Sequence, residues 1–172
     1  MEYAILFIVE MLALTCVCWV VFFLSTFAHE LGHALVYMLI TGNTHWHIRI
    51  GSGKCLLRTQ RFSIKLAVFD GVFEPKEDGM ELKKAILTLL GGPLFSLILV
   101  GILLYTRLKI VTFGSVIISL EAIRFISSLA LFVNTSILLY SLAPIHYFWG
   151  ETKGMESDIL RIVHIIKSKR NN

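Results

Sequence analysis

Basic residues are missing from the first 48 positions of this 172-residue chain; all sixteen Lys and Arg lie at Arg49 or beyond. Charge is scarce throughout, at 16% against about 25% in an ordinary soluble domain. Three cysteines, Cys16, Cys18 and Cys55, make no disulfide framework, and the first two read as small hydrophobes in an apolar helix. The start Met1-Glu2-Tyr3 lacks a basic n-region and the apolar run behind it is too long for a signal peptide, so no cleavage is expected. The net charge of +4 falls where membrane topology places it, and no nucleic-acid partner is expected.

What the chain does have is apolar length. It is 56% hydrophobic with a mean hydropathy of +0.75. The reading is an α-helical membrane protein with one integral-membrane domain over 1–172. Residues 3–40 form a nearly uninterrupted apolar stretch that would be ~57 Å long as one helix, beyond a ~30 Å hydrocarbon core. Its first turns then project from the bilayer, or it bends near Ser25-Thr26. Two further spans are expected at 84–106, with Gly91-Gly92-Pro93 permitting close packing or an unwound turn, and at 110–141, with Glu121 and Arg124 three apart.

Between the first two spans the pattern changes. Thr44-His45-Trp46-His47-Ile48-Arg49-Ile50 alternates with Trp46, Ile48 and Ile50 on one side, Gly51-Ser52-Gly53 reads as a turn, and residues 62–69 alternate again. This predicts a small membrane-associated β-sheet over about 43–75, with Glu74-Pro75-Lys76-Glu77-Asp78-Gly79 as a polar loop at its end. After Ser141-Leu142-Ala143-Pro144 breaks the third span, residues 157–169 predict an amphipathic helix resting on anionic lipid, with Lys167, Lys169 and Arg170 at its end. Eight basic residues between Arg49 and Lys84 and five from Lys153 onward put the sheet and the C-terminus in the cytosol and the N-terminus outside.

The chemistry sits in the first span, at His29-Glu30-Leu31-Gly32-His33. Histidines four apart share one helix face and reach a single metal, and the glutamate beside the first is placed to take a proton from water there. His33 precedes Gly42 by nine residues, which puts the motif ~14 Å below the cytosolic end of its helix. A catalytic zinc normally takes three protein ligands. The candidates for the third are Asp70, Glu121, His146, Glu151, Glu156 and Asp158. Glu121 lies at the wrong depth for this topology, and Asp70 belongs to a sheet turn. Asp158 opens a helix after the Pro144 break, and a re-entrant 141–157 segment would return it to the histidines. Its ordinary role there would be an N-cap.

Three segments carry a family resemblance: Phe27-Ala28-His29-Glu30-Leu31-Gly32-His33-Ala34, Gly91-Gly92-Pro93-Leu94-Phe95-Ser96, and the Pro144 to Asp158 region. With the order of elements, they make the chain resemble the site-2 protease family of intramembrane zinc metalloproteases, peptidase family M50. The resemblance implies a three-transmembrane-helix metalloprotease core. It implies Zn²⁺ held by His29, His33 and an aspartate, here Asp158, with Glu30 as general base. The usual ligand segment, N-x-x-P followed by D-G, is altered: Ser141 stands for the asparagine and Ile159 for the glycine. Shorter bacterial members carry a lysine-bearing insertion before the aspartate, which Lys153 to Ser157-Asp158 fits. Ser96 likewise replaces a common asparagine. The implied activity is cleavage of a membrane-embedded peptide or protein. The charge topology puts it near the cytosolic face, the alternating 44–50 strand is expected to pair with an extended substrate, and a regulatory membrane partner is expected to control access. The alternative is an inactive member of the same fold acting as an immunity or regulatory partner.

Overall fold

The computed structural model describes residues 2–76, 80–113, 119–148 and 150–170. In chain order the elements are α1 (Glu2–Thr41), β1 (Trp46–Arg58), β2 (Phe62–Pro75), α2 (Leu82–Phe113), α3 (Ser119–Leu142) and α4 (Asp158–Arg170). Three of the helices are long and apolar enough to cross a membrane, over Tyr3–Thr41, Leu82–Lys109 and Glu121–Leu142. The sheet is a two-stranded antiparallel ribbon between the first and second of them.

α1 is one unbroken 40-residue helix, ~60 Å long at 1.5 Å per residue, and its hydrogen bonding runs through Ser25-Thr26 without interruption. Below Val21 no described residue is buried; beyond it the helix becomes the post on which everything else packs. The sheet lies against it, with Trp46, Ile48, Ile50 and Val68 joining Ala34 and Tyr37 in one buried cluster. The alternation in 46–50 does decide the buried face. Two polar contacts fix the register of sheet on helix: Trp19 Nε1 donates to Leu66 O at 2.7 Å, and Thr26 Oγ1 to Val68 O at 3.4 Å.

The ribbon differs from the expected hairpin in one important way. Gly51-Ser52-Gly53 does not reverse the chain, since β1 continues through it to Arg58. The reversal comes at residues 59–61, where the Thr59 hydroxyl accepts from Phe62 N–H at 2.9 Å and Thr59 N–H donates to Phe62 O at 2.7 Å. Gly51 and Gly53, both at φ +82°, coil the strand instead of turning it. The coiling folds the ribbon onto itself, so that Ile48 pairs with both Phe73 and Phe62, and Ile50 with both Gly71 and Ile64. Both edges of β1 are therefore taken at 48–50, and this strand has no free edge there to offer a substrate.

The spans also shift. α2 runs through Gly91-Gly92-Pro93 without unwinding and continues to Phe113, so residues 110–113 belong to the second helix and not the third. α3 begins at Ser119, and the first residues expected in the third span after 113 lie outside the described residues. Glu121 and Arg124 are both exposed on α3. The expected polar loop starts later than Glu74, which with Pro75 still belongs to β2; its residues 77–79 are outside the described residues. α4 packs against α2 and α3.

The tightest contact is between α1 and α2. A Cβ on Gly32 would meet Gly91 O at 2.6 Å and Phe95 Cβ at 2.6 Å, far inside van der Waals separation. Two helix backbones approach this closely only where both lack side chains, the packing favoured between membrane helices because lipid supplies no hydrophobic drive. Gly101, one helix segment further on, has nothing within 4 Å of such a Cβ. Gly91→Val is expected to lower stability by about 1–3 kcal/mol, the usual cost of overpacking, while Gly101→Val leaves it unchanged. Thermal unfolding of the two variants in the same detergent checks this.

Candidate metal centre

α1 presents His29, Glu30 and His33 on its buried side, each less than 8% exposed. Four-residue spacing stacks the imidazoles one turn apart, with ring centroids 5.0 Å apart and planes nearly perpendicular. Each ring is held from the α2 side by its Nδ1. His33 Nδ1 lies 2.8 Å from Thr88 O, and His29 Nδ1 lies 2.9 Å from Ser96 Oγ. A carbonyl can only accept, so His33 Nδ1 must carry the proton. Gly92 N, 3.2 Å from the same nitrogen, then cannot donate to it. With Nδ1 protonated, Nε2 of His33 points a lone pair into the site, the tautomer a metal ligand needs.

Of the six candidates for a third ligand, the structure brings Asp158 to the histidines. Its Oδ2 is 3.3 Å from His29 Nε2 and 3.5 Å from His33 Nε2. The segment 143–157 makes this possible by folding back as a short hairpin. Tyr147 N–H donates to Met155 O at 2.9 Å, Ser157 N–H to Ile145 O at 3.0 Å, and the Ser157 hydroxyl to Ala143 O at 2.6 Å. Ser157, not Asp158, is the cap of α4, because its Oγ accepts from Leu160 N–H at 3.3 Å. The aspartate is thereby released from the capping role its position suggested.

The other candidates are engaged elsewhere. Glu151 is bound through both carboxylate oxygens by Lys65 and lies 3.6 Å from Arg49; the Lys65 hydrogen bond holds its carboxyl below the usual range. Glu156 accepts from His164 Nδ1 at 2.7 Å and lies 3.8 Å from His146. Glu121 is exposed on α3, away from the cluster. Asp70 stays near the site but serves the hairpin, its Oδ2 accepting from Glu151 N–H at 2.9 Å while the same oxygen packs against Gly150, where no side chain would fit.

The chemistry of this donor set fits a cation. Asp158 Oδ2 is buried and hydrogen-bonded to neither imidazole. Where Ser96 Oγ accepts from His29 Nδ1–H, both Nε2 atoms carry lone pairs, and these with the carboxylate oxygen repel unless something positive stands between them. Tetrahedral ligands about 2.0–2.1 Å from zinc are about 3.4 Å apart, which is the spacing of Oδ2 from both nitrogens. α2 leaves room for the ion on its side: a Cβ at Gly92 would overlap His33 Nε2 and lie 2.7 Å from His29 Nε2.

Glu30 completes the arrangement from the sheet side. A Cβ on Gly71 would lie 2.8 Å from Glu30 Cγ and Oε1, so β2 passes against the carboxylate, and the backbone N–H of Phe73 faces it. Gly71, Val72 and Phe73 form one wall of a cleft over the ligands; Tyr147 and Thr152 of the hairpin form the opposite wall. Burial, reinforced by the Asp158 and Glu30 carboxylates, pushes the Tyr147 phenol well above its ordinary value. Sequence spacing pointed to none of these wall residues. A glycine inside an alternating strand is a signal of close approach, and Gly71 carried it. Tyr147 carried none.

Ser96→Ala removes the partner of His29 Nδ1 and is expected to weaken zinc binding about 10–100-fold, as loss of a ligand's outer partner usually does. Asp158→Ala removes a ligand and should weaken it further. Competition against a chromophoric chelator measures both.

No curated protein and no solved structure matches the chain. The profile of peptidase family M50 does, over residues 17–168, nearly the whole described fold and all of the ligand cluster. The chain belongs to peptidase family M50, the site-2 protease family of membrane-embedded zinc metallopeptidases.

Proposed function

We propose that this protein is a zinc-dependent intramembrane endopeptidase, a single integral-membrane domain that cleaves a membrane-embedded peptide or protein segment. The observation that carries the reading is the convergence of His29 Nε2, His33 Nε2 and Asp158 Oδ2 beside the Glu30 carboxylate. These three side chains would hold the ion. Bound there, zinc would supply a Lewis acid that lowers the pKa of a water and polarises a peptide carbonyl.

Glu30 takes the proton from the attacking water and returns it to the leaving amine. Its place next to the Gly71 backbone keeps it oriented into the cleft and not along the helix. Substrate enters as an extended segment, because a helical one hides its carbonyls in i→i−4 hydrogen bonds. The strand edge that borders the cleft is the 71–73 stretch of β2, which takes the role first expected of the 44–50 strand. An extended segment laid there gains main-chain hydrogen bonds and keeps its reacting carbonyl near Glu30. The basic residues of the sheet and tail support, by the positive-inside rule, a cytosolic position for both, with the N-terminus outside and the site near the cytosolic face. The basic end of α4 fits contact with anionic lipid.

The rival reading, an inactive immunity or regulatory partner of the same fold, draws on Ser141 and Ser96, where the family often has asparagine. Metal content separates the two, at one zinc per chain for the enzyme and none for the partner. Glu30→Gln is expected to keep its zinc and to lose cleavage by about 10²–10⁴-fold, the usual worth of a positioned base. Full turnover in that variant overturns the assignment of the base.

A further inference from the structure

The cleft has a wall that the reaction above leaves unused. Tyr147 lines it on both sides of Glu30, next to Thr26, Asp70 and Ser141 in one direction and next to His33, Phe73 and Asp158 in the other. Its position is fixed by the same hairpin that delivers the third ligand. Tyr147 N–H donates to Met155 O at 2.9 Å, its own carbonyl accepts from Gly154 N–H at 2.7 Å, and Asp158 follows three residues after Met155. The ring is therefore tied to the Asp158 carboxylate by a few short covalent and hydrogen-bonded links. Its phenol experiences both the Asp158 and the Glu30 charges, and no hydrogen bond contributes to its electrostatics.

Arg161 of α4 apart, the other polar groups bordering the cleft are committed. The Ser96 hydroxyl is at His29 Nδ1, the Ser141 hydroxyl donates to Leu138 O at 3.1 Å, and Thr26 Oγ1 reaches Val68 O. Asp70 accepts from Glu151 N–H, and Thr152 has a partner of its own. Tyr140 also borders the cleft and has a partner of its own, which among the described residues leaves Tyr147 as a cleft-lining hydroxyl for the substrate.

We propose that Tyr147 is a further catalytic residue, whose hydroxyl donates a hydrogen bond to the scissile carbonyl oxygen as that oxygen takes on negative charge. The inference rests on the peptidase reading. A donor fixed in advance at the developing charge, inside a cleft of low dielectric, stabilises the transition state more than the ground state. The phenol, with an ordinary pKa of about 10, stays protonated at neutral pH and gives a hydrogen bond without giving up its proton. Both proton transfers of the hydrolysis remain with Glu30, so the balance of the reaction is unchanged. The Gly71–Phe73 edge opposite would hold the substrate backbone against this donor.

Tyr147→Phe keeps the ring and removes only the hydroxyl. With a single-span apolar test peptide in detergent, kcat should fall about 100–1,000-fold, as for loss of one oxyanion donor. KM, zinc content and thermal midpoint should stay as in wild type, and affinity for a phosphinic peptide, a tetrahedral anionic mimic, should fall with kcat. Wild-type kcat in Tyr147→Phe overturns the proposal, and so does a loss of kcat that merely follows a loss of zinc. Glu30→Gln measured alongside distinguishes the two readings. Turnover lost in Glu30→Gln but kept in Tyr147→Phe overturns the tyrosine alone. Zinc-loaded wild type that neither cleaves the test peptide nor binds the phosphinic peptide overturns both.

Discussion

The contact between Gly32 and Gly91 sets the geometry of everything around it. Because neither residue has a side chain, α2 can come close enough to α1 for Gly92 to stand beside both Nε2 atoms and for Thr88 and Ser96 to reach both Nδ1 atoms. A methyl group at either glycine would push the helices apart and strand the imidazoles without partners. Gly71 repeats the device on the other side, letting β2 run against Glu30. The reactive groups thus lie between two surfaces of bare backbone. That arrangement suits a membrane, where close van der Waals contact and satisfied polar groups replace the hydrophobic drive of water.

How much of this could be read from the chain depended on how local the signal was. The two histidines and Glu30 were legible because a four-residue spacing on a helix is a geometric statement by itself. Asp158 was legible only as one of six candidates for a third ligand, since 125 residues separate it from His33 and no spacing rule spans that distance. What selects it is a detail of capping: Ser157 takes the N-terminal N–H of α4, and Asp158 is left to face inward. The sheet was legible as a sheet, yet its reversal was not. Gly-x-Gly serves equally to turn a chain and to coil a strand, and only the pairing of Ile48 with two partners distinguishes them. The start of the third span was misplaced because the charges of Arg107-Leu108-Lys109 read as a connection, whereas α2 runs through them to Phe113. Tyr147 was illegible, as nothing in sequence links an aromatic on an irregular loop to a motif on a distant helix.

Charges near the sheet carry two meanings at once. Arg49 and Lys65 belong to the basic set from which orientation is read, and both also reach across to Glu151 on the hairpin. Exposed ion pairs of this kind contribute little net stability, because water screens them. The firmer link is the backbone N–H of Glu151 on the Asp70 carboxylate, with Gly150 pressed against the same oxygen. The hairpin that carries both Tyr147 and Asp158 is therefore moored to β2 at one well-defined point and trimmed by weaker electrostatics.

The distance between the ligands along the chain has a mechanical side. An ion held by His29, His33 and Asp158 would tie the first helix to the start of the last one and close a loop of 125 residues. In the chain-entropy account a permanent tie around a loop of about 100 residues restricts the unfolded chain by about 4.7 kcal/mol, and less where a bilayer already confines the helices. An ion in this position would be a rivet as well as a reagent. Chemical competence and the docking of the carboxy-terminal helix would then be gained together and lost together, in one binding event.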